Sequence, residues 1–157
     1  MLFTEIASSN DQLNLNKCLC SISQGSNEWQ MLQNSSKRVQ MRVTRKRSPL
    51  EFNYCIQNSP LQVVHEFKYL GVIISSNLSW NSHISWTAQK ASAKRWSLKR
   101  RLKRCTPSSK LSIYTTVIRP LLEYAVVVLD PVTKLNIDRL EGVHEKALRF
   151  IYNEYRK

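Results

Sequence analysis

The sequence predicts an α+β fold, a small antiparallel β region followed by a three-helix bundle. Three observations carry that reading. Two-residue alternation dominates as far as Asn77, and helical spacing dominates after it. The chain is also 42% apolar, with 3 Gly and 5 Pro in 157 residues, which is enough apolar sequence for a core and argues against a disordered tail. The change of pattern divides the chain into 1–76 and 77–157.

In chain order, Leu2 to Ile6 suits a short strand, ended by Ser8-Ser9-Asn10-Asp11. Asn10 or Asp11 is placed to cap a helix in which Leu15, Leu19 and Ile22 recur at helical spacing until Gly25 stops it. A turn then leads to Trp29. Val39, Met41 and Val43 alternate with Arg38, Gln40 and Arg42, predicting a strand with one basic face. Arg45-Lys46-Arg47-Ser48-Pro49 makes a charged turn into a hairpin. There Phe52, Tyr54 and Ile56 share a face and Gln57-Asn58-Ser59-Pro60 supplies the turn. A last strand is expected over 67–74, or a hairpin at Tyr69-Leu70-Gly71.

The first bundle helix is expected over 82–104, with Ile84, Ala88, Ala91, Leu98 and Leu102 in a seam that Arg95 interrupts. Lys90, Lys94 and Arg101 fall on the opposite side, with Arg100 and Arg104 alongside. Thr106 as N-cap and Pro107 at the first helical position open a second helix, with Leu111, Tyr114, Ile118, Leu121, Ala125 and Val128 inward and Pro120 kinking it. Asp130-Pro131 breaks the chain. A third helix runs from about Thr133, with Ile137, Leu140, Val143, Ala147 and Phe150 inward. Short loops join the three as antiparallel neighbours.

The formal charge of +13 is localised: it is −2 over 1–36, +6 over 37–47, −1 over 48–87, +9 over 88–110 and +1 over 111–157. Residues 88–110 contain no acid. An ordinary solvated face mixes both signs, so a one-signed block points to a polyanion, and nucleic acid is the expected partner. Cys18, Cys20, Cys55 and Cys105 lack the spacing of a zinc site or a disulfide framework, so free thiols in a reducing compartment are expected. No apolar stretch has the roughly 18 residues of a membrane span, and Met1 to Glu5 does not lead into a signal-peptide core. The expected location is nuclear or cytoplasmic. His65, His83 and His144 are scattered and read as structural, while Glu141 and Glu145 suit pairing with Lys146 or Arg149.

Several segments, in order, form a family pattern. Phe67-Lys68-Tyr69-Leu70-Gly71-Val72 is followed by Asn77-Leu78-Ser79-Trp80 and His83-Ile84. Arg119-Pro120-Leu121-Leu122-Glu123-Tyr124-Ala125 comes next, then Asp138-Arg139-Leu140-Glu141 and Ala147-Leu148-Arg149-Phe150. This series resembles the region after the palm in the reverse transcriptases of non-LTR retrotransposons, and Trp29-Gln30-Met31 with Asn34 and Lys37 resembles the segment carrying their palm lysine. It departs from the pattern at Leu129, where a tryptophan is usual, and at Arg95-Trp96, where a small or apolar pair is.

The resemblance implies a C-terminal portion of such an enzyme, the rear palm over 1–76 and a thumb-like bundle over 77–157. It implies an RNA template and DNA primer duplex as partner, and Mg²⁺ as the cofactor of the intact enzyme. The family's metal-binding Tyr-Ala-Asp-Asp hairpin does not occur in this sequence, so no metal or cofactor is expected on this portion and the catalytic Asp pair is absent. Lys37 corresponds to the lysine that donates a proton to departing pyrophosphate. Template-primer contact is expected from Arg38, Arg42, Tyr69, Leu70, Gly71, Lys90, Lys94, Lys99, Arg100, Arg101, Lys103 and Arg104. The alternative is a free-standing basic module that binds RNA or DNA through phosphates without enzymatic activity.

Overall fold

The computed structural model describes residues 1–34, 37–44, 46–57, 59–124 and 133–152. The fold class is α+β as expected. The chain forms two compact units, Met1–Phe67 and Lys68–Lys157. The parting thus falls ahead of residue 76.

In the first unit, α1 spans Ser9–Glu28. Its N-cap is Ser8, not Asn10 or Asp11: Asp11 sits at the third helical position and its Oδ2 accepts from the backbone N–H of Ser8 at 2.8 Å and of Ala7 at 3.0 Å. The Ser8 hydroxyl and those two N–H groups hold the Asp11 carboxyl below the usual carboxylate range. Gly25 does not stop the helix. The chain turns only at Gln30, which takes a φ of 51°, and the Met31 N–H closes on the Ser26 carbonyl at 2.8 Å.

Leu2 to Ile6 is not a strand, since no described segment pairs with it, and a strand exists only through its partner. β1 (Val39–Gln40) pairs in parallel with β4 (Gln62–Val63), while β2 (Cys55–Ile56) pairs antiparallel with β3 (Ser59–Pro60). β1 ends short of the expected Val43 because its partner offers two residues before the chain bends at His65. The Phe52, Tyr54, Ile56 alternation does mark the inner face, for Tyr54 and Ile56 are buried with Leu19 and packed by Leu15, Phe52 and Leu61. Arg45 and Asn58 of the expected turns lie outside the described residues.

The second unit begins with a hairpin, not a single strand over 67–74. β5 (Glu66–Tyr69) and β6 (Val72–Ser75) pair across Leu70 and Gly71, whose φ values of 46° and 85° reverse the chain in two residues. α2 spans Asn81–Arg101 and buries His83, Ile84, Thr87, Ala91 and Arg95. It stops before Lys103 and Arg104, which lie in the following turn.

Thr106 and Pro107 open α3 (Pro107–Ile113) as expected, the Thr106 hydroxyl accepting from the Ser109 N–H at 3.3 Å. A π-helical turn over Tyr114–Ile118 follows, then α4 (Arg119–Glu123). The Arg119 N–H reaches back five residues to the Tyr114 carbonyl, so the turn that leads into Pro120 is widened. Tyr114 and Ile118 are buried, but Leu111 is 38% exposed and not inward. The helix ends at Glu123, and Ala125, Val128 and the Asp130-Pro131 break lie outside the described residues.

α5 spans Lys134–Tyr152 and buries Val143, Ala147, Phe150 and Ile151. Ile137 is 39% exposed. Asn136 is buried in its place, donating to the Asn81 side-chain oxygen at 2.8 Å, and Arg139 donates to the Ser85 hydroxyl at 2.8 Å. Those contacts advance together along α2 and α5, so these two helices run parallel and the α3–α4 segment is the antiparallel one. Ala91, Tyr114, Ile118, Val143, Ala147 and Ile151 form the shared core, with Ala88, Leu98, Leu122 and Leu148 packed on it.

The hairpin joins the helices through His83. Its Nδ1 accepts the Ile73 N–H at 3.1 Å, which requires an unprotonated Nδ1, while Nε2 lies 3.4 Å from the Thr87 hydroxyl. Burial, then the Lys68 charge, lowers the His83 pKa from its ordinary 6.5. A depressed folded-state pKa gives stability that is complete above the unfolded value and is lost as pH falls through the folded one. The second unit is therefore expected to lose thermal stability as pH falls below about 6.5. His83→Asn, which keeps an acceptor toward Ile73, should flatten that part of a melting-temperature profile followed by tryptophan fluorescence.

Candidate nucleic-acid interface

α2 carries its core on one stripe, and at about 100° per residue Lys90, Lys94 and Arg101 lie together about 80° from it, on a neighbouring flank and not on the opposite side as expected. All three are exposed, as are Arg100, Lys103 and Arg104, while Lys99 is half-buried. Ion pairs among the described residues include Arg42–Glu51 at 3.1 Å, Arg119–Glu123 at 2.6 Å and Arg149–Glu145 at 3.4 Å. Lys90, Lys94, Arg100, Arg101, Lys103 and Arg104 enter none of them. Their charge meets solvent.

The hairpin extends this row. Trp86 is half-buried, with Lys90 Nζ 4.8 Å from its ring centroid and Lys68 Nζ, from β5, at 4.0 Å. Lys68 was not singled out from the sequence, where its only signal is the alternation that places it opposite Phe67 and Tyr69. Trp96 behaves differently from Trp86 and stands 57% exposed.

Two cations of the 88–110 block turn inward. Arg95 sits on the buried seam, 9% exposed, and its Nε has no hydrogen-bond partner among the described residues. Lys110 is 6% exposed with Nζ 4.8 Å from the Phe150 ring. Both line a small pocket with Leu98, Tyr114, Phe150 and Ile151. Their long apolar stems fill the bundle's end and make the seam wider than its apolar residues alone.

The remaining expected residues divide between the units. In the first, Lys37 is exposed and its N–H meets the Asn34 carbonyl at 3.2 Å. Arg38 Nη1 lies 3.5 Å from Gln33 Oε1, and Arg42 is held by Glu51. In the second, the Leu70 side chain is 75% exposed at the hairpin tip, not part of the core. A Cβ on Gly71 would meet Tyr124 Cε1 at 3.2 Å, and the Tyr124 hydroxyl donates to the Leu70 carbonyl at 2.6 Å. The close approach that a glycine permits is made here by Tyr124.

Among the described residues no three His, Cys, Asp or Glu side chains converge. Asp11 is engaged in the helix cap and Asp138 lies exposed on α5, while Asp130 is outside the described residues. Asp11 and Asp138 thus belong to different units and do not form a carboxylate pair. His144 hydrogen-bonds the Tyr114 hydroxyl, Glu145 pairs with Arg149, and the four cysteines are free and exposed. No described helix is long and apolar enough to cross a membrane.

Gly71→Ala should destabilise the second unit by about 1–3 kcal/mol, because alanine is strained at this φ and its Cβ displaces Tyr124. Urea denaturation monitored by circular dichroism measures the loss.

No family model and no solved structure matches the chain. Two curated proteins are similar to it. The RNA-directed DNA polymerase from mobile element jockey of Drosophila funebris is 30% identical over 100 residues, covering 61% of this chain and 11% of that protein. The probable RNA-directed DNA polymerase from transposon X-element of Drosophila melanogaster is 28% identical over 133 residues, covering 82% of this chain and 14% of its own length. The chain thus spans a small part of the relatives it matches. By overall similarity, the chain resembles a segment of these two RNA-directed DNA polymerases from mobile elements.

Proposed function

We propose that this chain is a template-primer-gripping portion of a non-LTR retrotransposon reverse transcriptase, its first unit the rear palm and its second the thumb. The observation that supports this most is the row of solvent-facing cations on α2, without acidic partners among the described residues and extended by Lys68. From Lys90 to Arg101 the row is about 16 Å long at 1.5 Å per residue. That is close to five nucleotide steps of a duplex.

Long cationic side chains at that reach bind phosphates and ribose hydroxyls, not base edges. The role of these residues is therefore to hold an RNA template and DNA primer at any sequence. Chemistry belongs to the carboxylates of an intact enzyme, where Mg²⁺ would act on the attacking and leaving oxygens. Lys37 is proposed as a proton donor to pyrophosphate only in that setting.

If about five phosphates are neutralised, log affinity for an RNA–DNA duplex falls with log salt at a slope of roughly −4 to −5. Replacing Lys94, Arg100, Arg101 and Arg104 by Ala should flatten that slope while leaving the circular dichroism unchanged. Retained affinity and slope in that variant would overturn the grip. The purified 157-residue chain should also incorporate no nucleotide on a primed RNA template with Mg²⁺ or Mn²⁺.

A further inference from the structure

Trp96 faces away from everything that explains the other aromatic residues of α2. At about 100° per residue it lies roughly 120–160° around the helix from Lys90, Lys94 and Arg101. It is 57% exposed, in a helix that places Trp86 between two lysines and Ile84 in the core. A large indole left in solvent is a site for something else to cover.

The surroundings of Trp96 select what covers it. Helical side chains lean toward the N-terminus, so the indole overlies the turn carrying Ser92 and Ala93, both small, and nothing bulky on that turn shields the ring. Lys99 Nζ and Arg95 Cζ are each 5.7 Å from the ring centroid, and Arg100 stands one turn further along the same side. No acid occurs anywhere from 88 to 110. An apolar partner segment would meet a field of cations here, whereas a nucleotide supplies an aromatic face for the indole and a phosphate for the cations.

Inside a duplex the base faces are already stacked on one another, so such a surface meets an open face only at a duplex end. We propose that Trp96 is a stacking surface for an unpaired base of single-stranded nucleic acid, with Lys99 and Arg100 holding the adjoining phosphate. This rests on the reading that α2 grips nucleic acid, and adds to it a second contact on a different flank. Stacking tolerates any base, so the site distinguishes unpaired from paired strands and not one sequence from another.

The test uses the full chain, an oligothymidylate of about 12 nucleotides and a blunt duplex several times longer, whose interior sites outnumber its two ends, with affinity read by fluorescence anisotropy. Trp96→Ala should weaken single-strand binding about tenfold and leave duplex affinity within about twofold, while Trp96→Phe keeps most of the single-strand affinity. Single-strand binding unchanged in Trp96→Ala overturns the proposal, as does an equal loss on both ligands. Loss of duplex binding in the Lys94, Arg100, Arg101 and Arg104 variant together with an unaffected Trp96→Ala sinks the stacking site alone. A wild-type chain that binds neither ligand sinks both readings.

Discussion

The second unit depends on how closely α2 can lie against α5. Ala91 and Ala147, 0% and 1% exposed, sit in the cluster between them, where side chains of one carbon leave the helix axes free to approach. Asn81 with Asn136 and Ser85 with Arg139 fix the register at the starting ends. Because this contact is narrow, most of the α2 surface is left for long cationic residues. Those residues repel one another, so apolar contact must outweigh their repulsion in the free protein, and a bound polyanion would remove it.

The segments that carry the family resemblance meet one another in space. Tyr124, from the Arg-Pro segment, hydrogen-bonds the Leu70 carbonyl and fills the space beside Gly71, while Arg119 and Glu123 pair one turn earlier. His83, just after the Leu-Ser-Trp segment, receives the backbone of Ile73. These motif residues hold the hairpin to the helices, and most of the cations between them stay in solvent. Packing and surface charge are thus carried by different residue classes along the same stretch of chain.

What could be read from the sequence was what local chemistry decides. The Thr106-Pro107 helix start and the inward positions Val143, Ala147 and Phe150 follow from capping and periodicity, and so does the Tyr54 and Ile56 face. Strands were harder, because Leu2 to Ile6 needed a partner that no described segment supplies and β1 could not outrun the short β4. Over 67–74 a strand or a hairpin at Tyr69-Leu70-Gly71 both fitted the sequence, because the turn places a leucine at positive φ where Asn-Gly would have announced a hairpin. Most of the basic row was visible as a charge block, but Lys68 joins it only through tertiary folding. Arg95 and Lys110 show the opposite limit. Counting charge treats every cation as solvated, yet their stems help fill the end of the bundle.

The widened turn at Tyr114–Ile118 gives the unit a place to absorb changes in chain length. Lys110, Tyr114, Ile118 and Leu122 follow one another at intervals of four, and all are wholly or partly buried. In an unbroken α-helix that spacing would drift by about 120° over the stretch and carry Leu122 off the core. The extra residue held in the π turn cancels most of the drift. Losing one residue between Tyr114 and Ile118 would keep the residues beyond facing inward, but would set Pro120 in an ordinary helical turn, where its ring meets the carbonyl four residues back. Elsewhere in the bundle a one-residue deletion rotates everything downstream, whereas here the inward faces would survive it and the fit of the proline alone would suffer.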